Sequence, residues 1–562
     1  MNAHPFRIAL AQLNPVVGDI DGNVEKIRTA RAKAAALGAD LVITPELSLV
    51  GYPTEDLVLK SFFQRSAMQC AEMLAKETAD GGPALIVGSP WLFDDGLYNT
   101  ALVMDGGEVI HKVCKRDLPN YGIFDEKRIF AAASKTEPVM VRGRRLGVMI
   151  CEDMWFPHTA RDLAEAGAEI LLVPTASPFE TDKGDERLME ARKRVAETGL
   201  PLMFVNQLGG QDEVIFDGTS FCLDAQGEVM MRLAGFSTDM EIVDCLPKQI
   251  GDSLALRPQE GRKAPLFDDL EAIWQATVLG LRDYVGKNGF PGVLIGLSGG
   301  IDSALTAAIA VDALGKDRVR TVMMPSRYTS PESLEDAQGC ADLLGVRLDS
   351  VAIEPGVAAF DQMLGPIFEG HAPDITEENI QSRLRGVILM AMSNKFGDLV
   401  LTTGNKSEVS VGYSTLYGDM CGGYSVLKDI YKSTVFALSH WRNHRTPLHA
   451  FGPEGPVMPA RVITKPPTAE LRADQKDEDS LPPYDVLDDI LACLVERSMP
   501  ASEIVARGHD AKTVARVEHL LYVAEYKRRQ AAPGVKITRK SFGRDRRFPI
   551  TNGFRTTRRP CL

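Results

Sequence analysis

The chain has 562 residues, 44 % hydrophobic and 25 % charged, the balance of an ordinary globular protein. One hydrophobic core rarely grows beyond about 250–300 residues, so more than one domain is expected. A formal net charge of −13, from 63 basic and 76 acidic residues, excludes a general nucleic-acid binder and requires positive charge to be gathered locally if the ligand is an anion.

The first residues lead directly into an apolar run without a leader-like segment. No stretch approaches the roughly 18 apolar residues of a membrane span, so no membrane partner is expected. Nine cysteines, an odd total with no C-x-x-C pair, suit a reducing cytoplasm and offer no zinc site. Residues 8–13 read as a strand, Asn23 caps a helix through the Ala-rich stretch to Leu37, and 41–44 is the next strand. Further strands are expected at 85–87, 146–150, 170–173 and 202–205, with hairpins at Asp105-Gly106-Gly107 and at 224–227.

Three residues of this half are candidates for chemistry. Glu46, in T-P-E-L-S-L-V-G-Y, and Cys151, in V-M-I-C-E-D-M-W, each follow an apolar strand. Open α/β folds place their chemistry at such strand ends. Taken alone, Cys151 reads as a buried structural cysteine. Lys115 stands just before L-P-N-Y-G-I-F-D-E and is the third. From 246 to 265 the periodicity fades among Gly, Pro and charge, and a linker is expected there, between a domain at 1–245 and another at 266–562.

The second half opens on a helix over 266–285 and then V-L-I-G-L-S-G-G-I-D-S, residues 293–303. A Gly/Ser turn between a buried strand and a helix can aim backbone N–H groups at an anion, and Asp302 can hold a divalent cation beside it. The Walker spacing and its lysine are absent. α/β units continue through the strand at 399–402. Two Gly/Pro-rich or charged segments, 447–459 and 473–483, read equally as lids over a nucleotide site or as disordered surface loops. The basic run from Lys527 to Arg547 reads as solvated or subunit-facing charge, Lys527 excepted.

The segments P-E-L, K-x-x-L-P-N-Y-x-x-F-D-E and C-E-D together resemble the Glu-Lys-Cys triad of the nitrilase (carbon–nitrogen hydrolase) family. That resemblance implies a four-layer αββα sandwich in which Cys151 attacks an amide, Glu46 moves the proton and Lys115 stabilises the oxyanion. It also implies a glutamine pocket of Tyr121, Glu126, Trp155, Ser177 and Lys183. S-G-G-I-D-S resembles the pyrophosphate loop of ATP pyrophosphatase ligases, which implies a doubly wound parallel α/β domain of the adenine nucleotide α-hydrolase type. ATP contacts are then expected from Gly296, Leu297, Ser298, Gly299, Gly300, Ile301, Asp302, Ser303 and Thr403.

A glutaminase joined to such a ligase resembles the glutamine-dependent NAD⁺ synthetase family. E-N-I-Q-S-R-L-R-G at 378–386, T-G-N-K-S-E at 403–408, Y-S-T-L-Y-G-D-M at 413–420, I-T-K-P-P-T-A-E-L at 463–471 and E-Y-K-R-R-Q at 525–530 agree with it. The resemblance implies that glutamine, ATP with Mg²⁺, and deamido-NAD⁺ are the ligands, and that the chain forms a homo-oligomer. Asn379, Arg383, Glu408 and Lys527 would meet the dinucleotide, Lys465 a phosphate, and Asp302 with Glu408 the metal. The rivals are an amidotransferase acting on another acid and a non-catalytic scaffold, against which the intact chemical residues stand.

Overall fold

The computed structural model describes residues 4–181, 183–250, 253–472, 475, 477–479 and 481–554. Expectations that touch 251–252, 473–474, 476 and 480 lie outside the described residues. The chain divides into two units between Phe267 and Asp268.

Alternating burial explains the layering of the first unit. In the strand Phe6–Gln12, Ile8 and Leu10 enter one core, while Ala9 and Ala11 enter another on the opposite face. This strand lies within a seven-stranded sheet, parallel to Leu41–Ile43, which is itself parallel to Ala84–Phe93. A six-stranded sheet holds Arg144–Val148, Ile170–Thr175 and Leu202–Asn206 as its parallel centre. The core between the sheets joins Ile8, Leu10, Ile43 and Ile86 to Val148, Ile170, Leu172 and Val205. Helices Ile20–Ala36 and Ser61–Glu77 cover the outer face of one sheet, and Pro157–Glu165 and Lys183–Thr198 cover the other. The result is the four-layer αββα sandwich.

The described residues of 246–265 do not form the free linker that their composition suggests. Strands Asp239–Ile250 and Ser253–Pro258 pair antiparallel as the last hairpin of the seven-stranded sheet, with Asp239–Ile250 running against Phe6–Gln12. The hairpin lies at the sheet edge, where polar side chains such as Lys248 and Gln249 remain exposed and blur the strand pattern.

The second unit is built on a five-stranded parallel sheet. Its spatial order is Arg347–Ser350, Val319–Met323, Val293–Gly296, Leu399–Thr402, Tyr424–Ser425. Val293–Gly296 is first in the chain and central in space, so the winding reverses between it and Leu399–Thr402. Ligands of open α/β folds bind at such a switch point. Helices flank both faces, with Ile301–Leu314 on one and Ile375–Phe396 on the other.

The segment 447–459 is held down rather than free. Buried Arg442 donates to the Pro453 and Gly455 carbonyls at 2.8 and 3.1 Å while pairing with buried Asp312 at 2.8 Å. Asn443 adds bonds to Val457 and Met458. In the other segment, 473–483, read equally as a lid or a disordered loop, Asp477 and Leu481 are buried. Among the described residues no helix is long and apolar enough to cross a membrane.

Candidate active sites

In the first unit, strand ends bring three distant segments together. Glu46 follows Leu41–Ile43, Lys115 follows Glu108–Cys114, and Cys151 follows Arg144–Val148 after two residues. Lys115 is fully buried and donates to Glu46 Oε1 at 2.7 Å and to Glu126 Oε1 at 2.8 Å. Glu46 also accepts from Asn99 Nδ2 at 2.8 Å and from the Ala176 N–H at 3.0 Å. Its loop can lie this close to the neighbouring strand because position 88 is glycine: a Cβ there would stand 2.2 Å from the Leu47 nitrogen.

Burial works against the Lys115 charge, but Glu126 and Glu46 outweigh it and hold its pKa well above the usual lysine range. Cys151 is 5 % exposed. Burial, then Glu46, raises the pKa of its thiol, and Lys115 only partly offsets them. The resting sulfur is therefore a thiol that needs a proton acceptor before it can attack. Cys151 also has φ 47°, a left-handed conformation that costs a side-chain-bearing residue about 1–3 kcal/mol and is typical of constrained functional positions.

The other predicted pocket residues divide. Glu126 joins the buried cluster, its Oε1 also accepting from Tyr52 at 2.7 Å. Tyr121 is exposed at the rim and donates to Glu152 at 3.0 Å. Trp155 is half-buried at the end of the short helix Cys151–Trp155. Ser177 is buried, and its hydroxyl accepts from Arg187 at 3.0 Å. Lys183 opens the helix Lys183–Thr198 and lies 3.7 Å from Glu180.

Asp153 stands inside the quoted C-E-D segment, where sequence reasoning assigned it no role. It accepts the Ile150 N–H at 2.8 Å, the Arg116 N–H at 3.0 Å and the Asp117 N–H at 2.8 Å. One buried carboxylate thus ties the Cys151 elbow to the backbone beside Lys115.

In the second unit a cavity of about 320 Å³ opens at the switch point. The loop 296–303 lines it along with Thr403, Glu408 and Lys465. Gly299 (φ 81°) is required there, since a Cβ would meet the Ser333 carbonyl oxygen at 2.3 Å. Ser303 Oγ accepts the Ser298 N–H at 3.1 Å and donates to the Gly300 carbonyl at 2.9 Å, fixing the loop's shape. The first-turn N–H groups of helix Ile301–Leu314 have no acceptor within the helix and carry its positive end.

Asp302 accepts from Asn405 Nδ2 at 2.8 Å and from the ammonium of buried Lys432, which also donates to Glu408 at 3.1 Å. Burial pushes the Glu408 carboxyl above its usual range, and Lys432 pulls it back. Asp477 accepts from Tyr413 at 3.2 Å and Tyr484 at 2.9 Å nearby. Among the described residues no group of three or more His, Cys, Asp or Glu forms a ready metal cage. A pair of carboxylates open to substrate oxygens is the donor set that Mg²⁺ commonly uses with a polyphosphate, so the pair fits it in chemistry.

Asn379, Arg383 and Lys527 stand outside the cavity lining. Asn379 accepts from Thr415 at 2.9 Å, Arg383 donates to the Leu416 carbonyl at 3.2 Å, and Lys527 donates to the Gly412 and Ser414 carbonyls at 2.8 and 2.6 Å. The helix Ile375–Phe396 instead turns Ser382 and Arg385 toward the cavity, where Asp419 also lies. Lys465 reaches the rim through Ser333 Oγ at 2.6 Å. Sequence reasoning missed Lys432, Arg385, Asp419 and Asp477. Arg385 and Asp419 stood inside quoted motifs without a role, and nothing local marked Lys432.

Residues 7–252 match the carbon-nitrogen hydrolase family, and residues 273–531 match the NAD synthase family. The chain is 51 % identical over 552 residues to the glutamine-dependent NAD(+) synthetase of Rhodobacter capsulatus, covering 98 % of this chain and 99 % of the relative. The same-named protein of Xanthomonas campestris pv. campestris is 46 % identical over 557 residues, 99 % of each chain. Among solved structures, glutamine-dependent NAD⁺ synthetase from Acinetobacter baumannii in complex with adenosine diphosphate is similar at 43 % identity and TM-score 0.77, covering 98 % of this chain and 99 % of that one.

Proposed function

The chain belongs to the glutamine-dependent NAD(+) synthetase family, and from that premise we propose how its residues divide the work. It is a carbon–nitrogen ligase that amidates deamido-NAD⁺ with nitrogen from glutamine, consuming ATP. The observation that carries the assignment of residues is one chain holding both a buried Cys–Lys–Glu cluster and a Ser/Gly loop at a parallel-sheet switch point.

In the first unit, Glu46 takes the Cys151 thiol proton as sulfur attacks the side-chain amide of glutamine. Lys115, held charged by two carboxylates, stabilises the oxyanion. The thioester forms as ammonia leaves, and water then releases glutamate and restores the thiol. Tyr121, Trp155, Ser177 and Lys183 surround the amino-acid end of the substrate.

In the second unit, the nicotinate carboxylate of deamido-NAD⁺ attacks the α-phosphorus of ATP, pyrophosphate leaves, and ammonia displaces AMP from the adenylate. Backbone N–H groups of the 296–303 loop and the Ile301–Leu314 N-terminus bind the departing anion. Asp302 and Glu408 would hold Mg²⁺, which supplies charge neutralisation at the phosphates. Ammonia is mostly protonated near neutral pH and useless as a nucleophile in that form, so its passage between sites is sheltered from bulk water.

The eight described cysteines are all free, in support of a reducing cytoplasm. Cys151→Ala tests the scheme: glutamine-dependent NAD⁺ formation is lost while ammonia-dependent formation persists. Loss of both activities in a folded variant overturns the two-site division, and amidation of a different acid in place of deamido-NAD⁺ overturns the substrate assignment.

A further inference from the structure

Lys432 is the first residue of the helix Lys432–His444, and its own N–H is pinned by Ser407 Oγ at 2.9 Å. Its side chain is 1 % exposed. The ammonium bonds to Asp302 Oδ2 and to Glu408 Oε1, and it lies 5.1 Å from the Tyr484 ring centroid. One oxygen of each carboxylate is therefore already engaged by a positive charge belonging to the protein.

We propose that Lys432 is a resident counter-cation that closes the Asp302–Glu408 pair to free divalent metal until a nucleotide polyphosphate arrives to accept its ammonium. The inference rests on the reading of this cavity as the ATP–metal site. A bare metal ion bridging the two engaged oxygens must displace the ammonium from between them. With 1 % exposure, the displaced charge has little access to water, and leaving a buried charge unpaired is strongly unfavourable. The same cavity is lined by the loop 296–303, so a polyphosphate bound there brings acceptor oxygens within the reach of Lys432. Exchange then becomes balanced: the carboxylates trade an ammonium for a metal, and the ammonium trades carboxylates for phosphate oxygens. Metal loading becomes conditional on nucleotide, and the site avoids holding a cation when there is no phosphate to neutralise.

The test is equilibrium dialysis of Mn²⁺ against the full chain, with and without adenosine 5′-(α,β-methylene)triphosphate, which resists cleavage at the α–β bond. Protein-bound metal is the readout, so no turnover is involved. In the wild type, Mn²⁺ binds at least tenfold more tightly with the nucleotide than without it. Without nucleotide, Lys432→Met and Lys432→Gln bind Mn²⁺ at least tenfold more tightly than the wild type, while Lys432→Arg, which keeps the charge, does not. Equal wild-type affinity with and without nucleotide overturns the proposal, as does a lack of gain in Met or Gln variants whose melting curves show them folded. Should both variants fail to fold, equal wild-type affinity with and without nucleotide still overturns the proposal. If no Mn²⁺ binds the wild type even with nucleotide, the reading of the cavity itself falls, which separates the two failures.

Discussion

Burial sets the protonation of individual groups at both sites, and the partners decide which way each one moves. Lys115 keeps its charge because two carboxylates reach it, whereas Cys151 lies in the same buried region and stays protonated. Asp419, lining the cavity, accepts from backbone donors and feels the positive charge of Lys527, but burial outweighs them and pushes its carboxyl up to about 6 from an ordinary 3.8. A carboxyl raised on folding favours the folded state at low pH. That contribution is fully present below about pH 4 and is lost as pH rises through about 6. Asp419→Asn retains an oxygen to accept the Thr415 N–H and removes the titration. Urea unfolding of the C-terminal unit should show the variant equal to the wild type near pH 4. At pH 7.5 it should be more stable, by at most about 3 kcal/mol. A constant difference across that range would show that the carboxyl does not titrate in it.

At the scale of elements, the first site depends on how strand ends are tied to one another. The Asp153 carboxylate gathers N–H groups from the Cys151 elbow and from the segment after Lys115, across 36 residues of sequence. Asp153→Ala strands three N–H groups, that of buried Ile150 at about 1–3 kcal/mol and those of the part-buried Arg116 and Asp117 at less. The expected outcome is a loss of roughly 3 kcal/mol or more in the first unit, with a fall in glutaminase kcat larger than the change in ammonia-dependent synthesis. Thermal unfolding and the two assays check it. Unchanged kcat in a destabilised variant would reduce Asp153 to a structural tie.

The same pairings explain what the sequence could and could not say. Glu46, Cys151 and the 296–303 loop could be placed at strand ends because apolar runs reveal those ends. The chemical role given to Cys151 came instead from the resemblance carried by C-E-D and its companion segments, since taken alone it reads as structural. Lys432 was not legible, since its partner Asp302 lies 130 residues away and only the fold joins them. The hairpin at 239–258 was mistaken for a linker in its second half because edge strands carry polar faces and lose their alternation. The segment 447–459 has the composition of a loose loop, yet Arg442 and Asn443 bind its carbonyls and N–H groups. Composition records the missing helix or strand, not the side chains that replace its hydrogen bonds.

At the scale of the whole molecule, the chain divides into two units, each with its own sheets and its own chemical cluster. Amide hydrolysis needs a thiol, a base and an oxyanion partner. Acid activation needs a phosphate cradle and a carboxylate pair to hold a cation. Nothing in either chemistry requires the other, so the proposed reason to join them is the ammonia that the first would release and the second would consume. An isotope experiment on the intact chain measures that passage. NAD⁺ is made from unlabelled, saturating glutamine in buffer holding excess ¹⁵N-ammonium, and the product amide is analysed by mass. Sheltered transfer leaves most product amide with the light glutamine nitrogen. Release into bulk water mixes the two pools and gives the isotope ratio of the buffer, which would refute sheltering while leaving both active sites standing. Cys151→Ala supplies the control, because with hydrolysis removed every amide must come from the labelled pool. A light product in the wild type and a fully heavy one in the variant would mean that covalent fusion of the units serves to keep ammonia unprotonated between them.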